Sequence, residues 1–276
     1  MKAELRPVIR VVGDDGPIPL YAAPQVSLRF WPVLLRNWLV WRKLAFASMI
    51  GNIAEPLITL VAFGYGLGAL VGEVGGRPYI EYLASGSVVA SAALAATFEA
   101  LYSAFSRMHV QKTWDGILNA PVALDDIVFA EMLWAAIKAL ISVGAILVVI
   151  FLLGISRAPS LLLALPVLGF VGITFASIAL VFNALAKGYD FFTYYFTLVI
   201  TPMTFLSGVY FPVEQLPAWL QAVSRVLPLT AAVEIVRPLV LGEWPPAVLR
   251  PLAILAAYAT AGYCVALVLT RRRFFR

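Results

Sequence analysis

Three ionisable side chains, Glu99, Glu131 and Lys138, lie within stretches that are otherwise apolar. A charge at membrane depth is expensive, so it survives by pairing or by serving a pathway. Glu131 and Lys138 are seven residues apart, on one helix face but about 10 Å apart along the axis, too far to pair directly. Lys138 is expected to reach a carboxylate from this set, with Glu99 available across a helix hairpin. Structural pairing is favoured over ion conduction, because a lone lysine makes a poor relay. Thr193, Thr197, Thr201 and Thr204 recur at helical spacing along one face. Their hydroxyls either bond back to their own helix carbonyls, wall a path for an amphiphilic substrate, or form a seam between two copies of the chain.

Other chemistries lack parts. There is no G-x-x-x-x-G-K-[ST] loop, so the chain is not expected to hydrolyse ATP by itself. There is no H-E-x-x-H, no C-x-x-C and no G-x-S-x-G, one histidine (His109) and one cysteine (Cys264), so no metal site, nucleophile or intrachain disulfide is expected. Glu99 and Glu131 leave a membrane enzyme open as an alternative.

The elements that position these residues follow from composition. The 276 residues are 62% hydrophobic and 13% charged, and mean hydropathy is +0.92. A soluble domain carries about a quarter charged residues, so this is an all-α, multi-pass membrane protein. Six stretches reach the ~20 apolar residues that a spanning helix needs: approximately 46–71, 80–105, 127–153, 161–186, 191–210 and 248–269. Six crossings put both termini on one side. Arg77, Arg157, Arg225, Arg237 and Arg250 fall on one side, and every other Lys and Arg except Lys138 falls on the other. The richer side is read as cytoplasmic. Basic residues at the ends of apolar runs set orientation and do not make a nucleic-acid surface, so no nucleic-acid partner is expected.

Four regions result: a tail over 1–26, an amphipathic helix over 27–45, a six-span domain over 46–270 and a basic tail over 271–276. In the second, Arg29, Arg36 and Lys43 share one helical face, with Trp31, Leu34, Leu35, Trp38 and Trp41 largely on the other. That composition suits a helix lying in the membrane interface, or simply the flank of the first span.

Thr201 to Gly242 is broken by Pro202, Pro212, Pro217, Pro228 and Pro238 yet stays apolar between them. It is expected to form short re-entrant helices at the outer face, with Phe211, Pro212, Leu216, Pro217, Trp219, Leu220, Leu227 and Pro228 as an outer gate. Leu206-Ser207-Gly208-Val209-Tyr210-Phe211-Pro212, Leu216-Pro217-Ala218-Trp219-Leu220, Leu227-Pro228-Leu229-Thr230 and Arg237 together resemble the signature region of type-2 ABC exporter permeases. Members often carry a histidine after the Leu-Pro-Leu-Thr run. Ala231 stands there, so no histidine role is carried over.

Between spans two and three, Gln111 to Leu118 reads as a short helix stopped by Asn119-Ala120-Pro121, or as a plain loop. Arg107-Met108, Gln111-Lys112-Thr113-Trp114, Leu124-Asp125-Asp126-Ile127-Val128, Glu131, Trp134-Ala135-Ala136 and Lys138-Ala139 resemble the NodJ-type permeases, a subgroup exporting lipo-chitooligosaccharides with a separate NodI-type ATPase. The resemblance covers most of residues 100 to 270. It implies that Gln111, Lys112, Thr113, Trp114, Asp115, Ile117 and Leu118 couple the permease to an ATPase that holds MgATP. It also implies a second copy of the chain, a lipid environment, location in a bacterial inner membrane with both termini cytoplasmic, and an amphiphilic cargo such as a lipo-oligosaccharide or glycolipid. Alternatives are export of a drug or other hydrophobic small molecule, or ion-coupled carriage.

Overall fold

The computed structural model describes residues 20–275. The chain runs through α1 (Phe30–Trp41), α2 (Ala45–Gly66), α3 (Gly68–Val71), strands β1 (Glu73–Val74) and β2 (Arg77–Pro78), α4 (Tyr79–Phe98), α5 (Thr113–Leu118), α6 (Leu124–Leu152), α7 (Leu161–Leu185), α8 (Asp190–Tyr195), α9 (Thr201–Leu206), α10 (Ala218–Ser224), α11 (Pro228–Val240) and α12 (Leu249–Phe275). The all-helical expectation needs one amendment. Gly75 and Gly76, at φ 63° and 77°, close a two-residue antiparallel hairpin between β1 and β2. Two positive φ values in succession are the turn chemistry a tight hairpin requires.

Among the described residues, five helices are long and apolar enough to cross a membrane: Ser48–Val71, Tyr79–Val110, Leu124–Leu152, Leu161–Leu185 and Leu249–Phe274. The second extends past its expected end near residue 105. α4 continues through π-helical turns Glu99–Ser103 and Ser106–Val110. The stretch expected at 191–210 is shorter than expected. α8, a π turn over Phe196–Ile200 and α9 form one run from 190 to 206, about 25 Å at 1.5 Å per residue. Pro202 falls inside this run, just after the π turn. Gly208, at φ 73°, follows its end.

α4, α6, α7, α11 and α12 form the packed core. Small residues permit the close approach. A Cβ on Gly86 would stand 2.5 Å from the Val209 carbonyl oxygen, and one on Gly172 would stand 3.0 Å from the Ala136 Cα. The π turn at Glu99 loosens the helix ladder, and Asn183 Nδ2 of α7 donates to the carbonyls of Ala100 (2.8 Å) and Leu101 (3.2 Å). The rings of Phe98 and Phe196, at two π turns, meet at a 31° tilt with centroids 4.6 Å apart.

Both described chain ends meet at one end of the bundle. Residues 20–26 belong to the region expected to be a loose tail, yet they are pinned. Arg271, 1% exposed, pairs with Asp125 and donates to the carbonyls of Leu20, Ala22 and Ala23. The Gln25 N–H donates to Asp125 and that of Ser27 to Asp126. Residues 1–19 of that expected tail lie outside the described residues. Arg273 donates to the carbonyls of Asn183, Ala184 and Ala186 at the end of α7. α12 runs on to Phe275, and Arg271 and Arg273 are tied into neighbouring helix ends.

Candidate functional site

The charges inside the bundle form a four-member cluster. Arg107 donates from Nε to Glu131 Oε1 (2.9 Å) and from Nη2 to Glu99 Oε1 (2.9 Å) and Glu131 Oε2 (2.5 Å). Lys138 Nζ donates to Glu99 Oε2 at 2.6 Å. Two indoles complete the carboxylates' hydrogen bonds: Trp134 Nε1 to Glu99 (2.9 Å) and Trp114 Nε1 to Glu131 (3.2 Å). Glu131 therefore meets Arg107 and not Lys138. The sequence reading missed Arg107, because it ended the second span at 105 and counted Arg107 as a loop cation. The π turns carry the helix on far enough to bring this guanidinium beside both carboxylates.

The cluster lines the first two of three neighbouring chambers that share wall residues one with the next. At the basic end is a vestibule of about 450 Å³, edged by Arg36, Trp41, Gln111, Trp134 and Lys138. Glu99, Tyr102, Ser103 and Lys138 also line a second chamber of about 420 Å³ between α2 and α4, which ends at Val209 and Tyr210. Thr59 and Tyr210 are shared in turn with a third chamber of about 430 Å³ near Phe205, Phe211 and Pro212. The lining changes from one chamber to the next, from cations, amides and indoles to small residues and then to aromatic rings.

The threonine stripe stands elsewhere. Thr193, Thr197 and Thr201 are exposed, and Thr204 Oγ1 donates back to the Ile200 carbonyl. These residues are not among those that wall the three chambers just described, whose hydroxyls include those of Thr59, Ser87, Ser91 and Ser103.

The short helix between the second and third spans starts at Thr113, two residues later than expected. Gln111 precedes it, and Lys112 adopts a left-handed φ of 55°. Of the residues expected to couple to an ATPase, Trp114 and Leu118 are buried and face the bundle. Thr113 and Ile117 are half-buried, and Gln111, Lys112 and Asp115 are exposed. Trp114 also stacks on Phe274, with centroids 6.1 Å apart.

The amphipathic helix is α1, shorter than 27–45. Val33, Leu34 and Asn37 are buried, and Trp31, Leu35 and Trp38 remain exposed. Trp38 and Trp41 both meet Trp134 edge-on, at 6.4 and 6.0 Å. Arg29 Nη1 donates to the Pro121 carbonyl, which fixes α1 to the loop leaving α5.

At the opposite end, residues 211–227 fold as a short 3₁₀ turn (Val213–Gln215) and α10, and are not an extended loop. Trp219 is 68% exposed, Pro217 is exposed, Phe211, Pro212, Leu216, Leu220 and Leu227 are half-buried, and Pro228 is buried at the start of α11. The preceding turn is held by Arg237, whose three nitrogens donate to Ser85 Oγ (3.1 Å), Tyr82 Oη (3.1 Å) and the Gly208 carbonyl (2.6 Å). The guanidinium lies 3.8 Å from the centre of the Tyr82 ring. Burial pulls its pKa below the usual arginine value, while contact with Tyr82 partly restores it.

Residues 29–241 match the family described as ABC-2 type transporter. The chain belongs to that family. It is a transmembrane permease of an ABC exporter, a multi-pass protein of the inner membrane that works with an ABC ATPase and is not itself an ATPase. The permease is 46% identical over 255 residues to nodulation protein J of Rhizobium leguminosarum bv. trifolii, covering 92% of this chain and 97% of that one. It is 42% identical over 265 residues to nodulation protein J of Bradyrhizobium diazoefficiens, covering 95% and 100%. Against the inner membrane transport permease YadH of Escherichia coli K12 the identity is 22% over 248 residues, 88% of this chain and 96% of that one.

Proposed function

We propose that this permease exports an amphiphile, a lipo-oligosaccharide or glycolipid, through a path shared by two copies of the chain. A NodI-like ATPase, binding MgATP, supplies the drive. The observation that carries this reading is the series of chambers from Arg36 to Pro212, polar at one end and apolar beyond. An amphiphile needs that change of lining along its length. Likeness to nodulation protein J over nearly the whole chain supports the choice of cargo.

In this reading the chain crosses the bilayer six times, with α8 to α9 as the fifth crossing. The basic end, where residues 20–27 and Arg271 meet, is cytoplasmic. The exposed side of α5, with Gln111, Lys112 and Asp115, seats on the ATPase. α10 and the residues from Phe211 to Pro228 tuck back as an outer gate. The exposed threonines of α8 to α9 form the seam with the second copy. ATP closes the ATPase pair, α5 moves, and the path switches between states of different cargo affinity; only differential binding can couple the two.

The test is co-reconstitution with the ATPase in proteoliposomes, following ATP-dependent movement of a lipo-chitooligosaccharide. Movement is expected only with both subunits and ATP. Movement driven by an ion gradient without the ATPase, or chemical conversion of lipid by the permease alone, would overturn the reading.

A further inference from the structure

The vestibule at the basic end carries more positive charge than its carboxylates balance. Arg36, Arg107 and Lys138 line it, against Glu99 in the wall and Glu131 behind Arg107. Arg107 spends Nε and Nη2 on the two carboxylates, and Lys138 spends one donor on Glu99. Arg36 forms no ion pair among the described residues. Its Nη1 donates to Asn37 Oδ1 at 3.0 Å, which fixes the orientation of that amide. Asn37 is 3% exposed and also lines the vestibule, yet its Nδ2 has no partner. Buried donors are almost always satisfied. An unpaired guanidinium and an orphaned amide donor on adjacent residues, with Lys138 opposite, describe a site short of one oxyanion.

The surroundings fit the rest of an amphiphile. Ser48, Ser103 and Ser106 offer hydroxyls beside the cations. Beyond Lys138 the second chamber is lined by Pro56, Leu94, Ala95 and Phe98, where a hydrocarbon tail would lie. A fork of N–H donors suits oxyanion geometry, and each such bond is charge-assisted.

We propose that the vestibule bounded by Arg36, Asn37 and Lys138 binds an oxyanion, phosphate, sulfate or carboxylate, on the head of the amphiphile that the permease exports. This rests on the amphiphile reading above and narrows its cargo to chains with an acidic head. Arg36 and Asn37 are recognition residues on α1, and the helix expected to rest passively in the membrane interface becomes part of the cargo site.

The permease with its ATPase, in phosphatidylcholine nanodiscs, tests this. Saturable binding of radiolabelled dodecyl phosphate and dodecyl maltoside is measured above uptake by empty nanodiscs. Dodecyl phosphate is expected to bind at least tenfold tighter. Arg36→Gln should remove most of that preference, Asn37→Leu part of it, and Arg36→Lys should keep more of it than Arg36→Gln. The effect is read as the ratio of the two affinities, and unfolding midpoints measured in the same nanodiscs report that the variants are folded. Equal affinity for the two amphiphiles, or an unaltered preference in Arg36→Gln, overturns the head-group assignment and leaves amphiphile export standing. Inorganic phosphate binding as tightly as dodecyl phosphate overturns it too, since the site would then serve a free ion. Absence of saturable binding for either amphiphile overturns both.

Discussion

Glu131 is 1% exposed and holds three hydrogen bonds, two from Arg107 and one from Trp114. Removing one member of a buried ion cluster leaves the others without compensation, which costs about 3 kcal/mol or more. Glu131→Gln is expected to destabilise the permease by that amount, read as a lower unfolding midpoint in detergent. Replacing Glu131 and Arg107 together by Gln and Met should lose less than the two single changes summed, since neither charge is then stranded. A sum equal to the single losses would show that the two residues act independently. The sequence exposed the two carboxylates and the lysine as anomalies in apolar runs. It could not show that Arg107 joins them, because that depends on a helix continuing through two π turns.

α5 divides its residues between two tasks. Trp114 is 1% exposed, stacks on Phe274 and donates to Glu131, whereas Lys112 and Asp115 are exposed and touch each other at 4.0 Å. Trp114→Ala is expected to cost about 3–5 kcal/mol of stability, the usual range for deleting a buried indole. Asp115→Ala should leave the unfolding midpoint within about 0.5 kcal/mol of the parent, as exposed changes do, while lowering cargo-stimulated ATPase activity severalfold in the reconstituted complex. Unchanged stimulation in Asp115→Ala would show that this face of α5 does not seat the ATPase. The presence of a helix here was legible from Asn119-Ala120-Pro121 and the residues before it. Its inward face was not, because six residues carry too little periodicity to say which side meets a bundle.

The largest question concerns the apolar faces that a single chain leaves open. α2 exposes Phe46, Ile50, Ile58, Val61 and Phe63, and the run from α8 to α9 exposes Tyr194, Leu198 and Phe205 beside the threonine stripe. In the two-copy assembly proposed above, cysteine placed at Thr197 in a Cys264→Ala background should cross-link to its partner in native membranes, giving a band of twice the subunit mass. Cysteine at Leu162, exposed on α7, should not. Cross-linking at Leu162 with none at Thr197 would place the seam on another side of the molecule.

Much of this architecture could be read without coordinates. Apolar runs long enough to span a bilayer, cations clustered at their ends and short pieces bounded by proline are local patterns, and lipid admits few folds that satisfy the backbone. That constraint is why composition and spacing alone pointed to a multi-pass helical membrane protein, while the permease reading came from the resemblance carried by residues 206–212 and 227–230. What the tertiary structure decided were the contacts between distant segments: Arg107 on two carboxylates, Arg271 on residues 20–23, Arg237 on the turn at Gly208, and the threonines turned away from chambers that serines of α4 line instead. Each depends on how far a helix runs and on its rotation about its axis. Side-chain packing among neighbours sets both, and apolar periodicity is too uniform in these helices to reveal either.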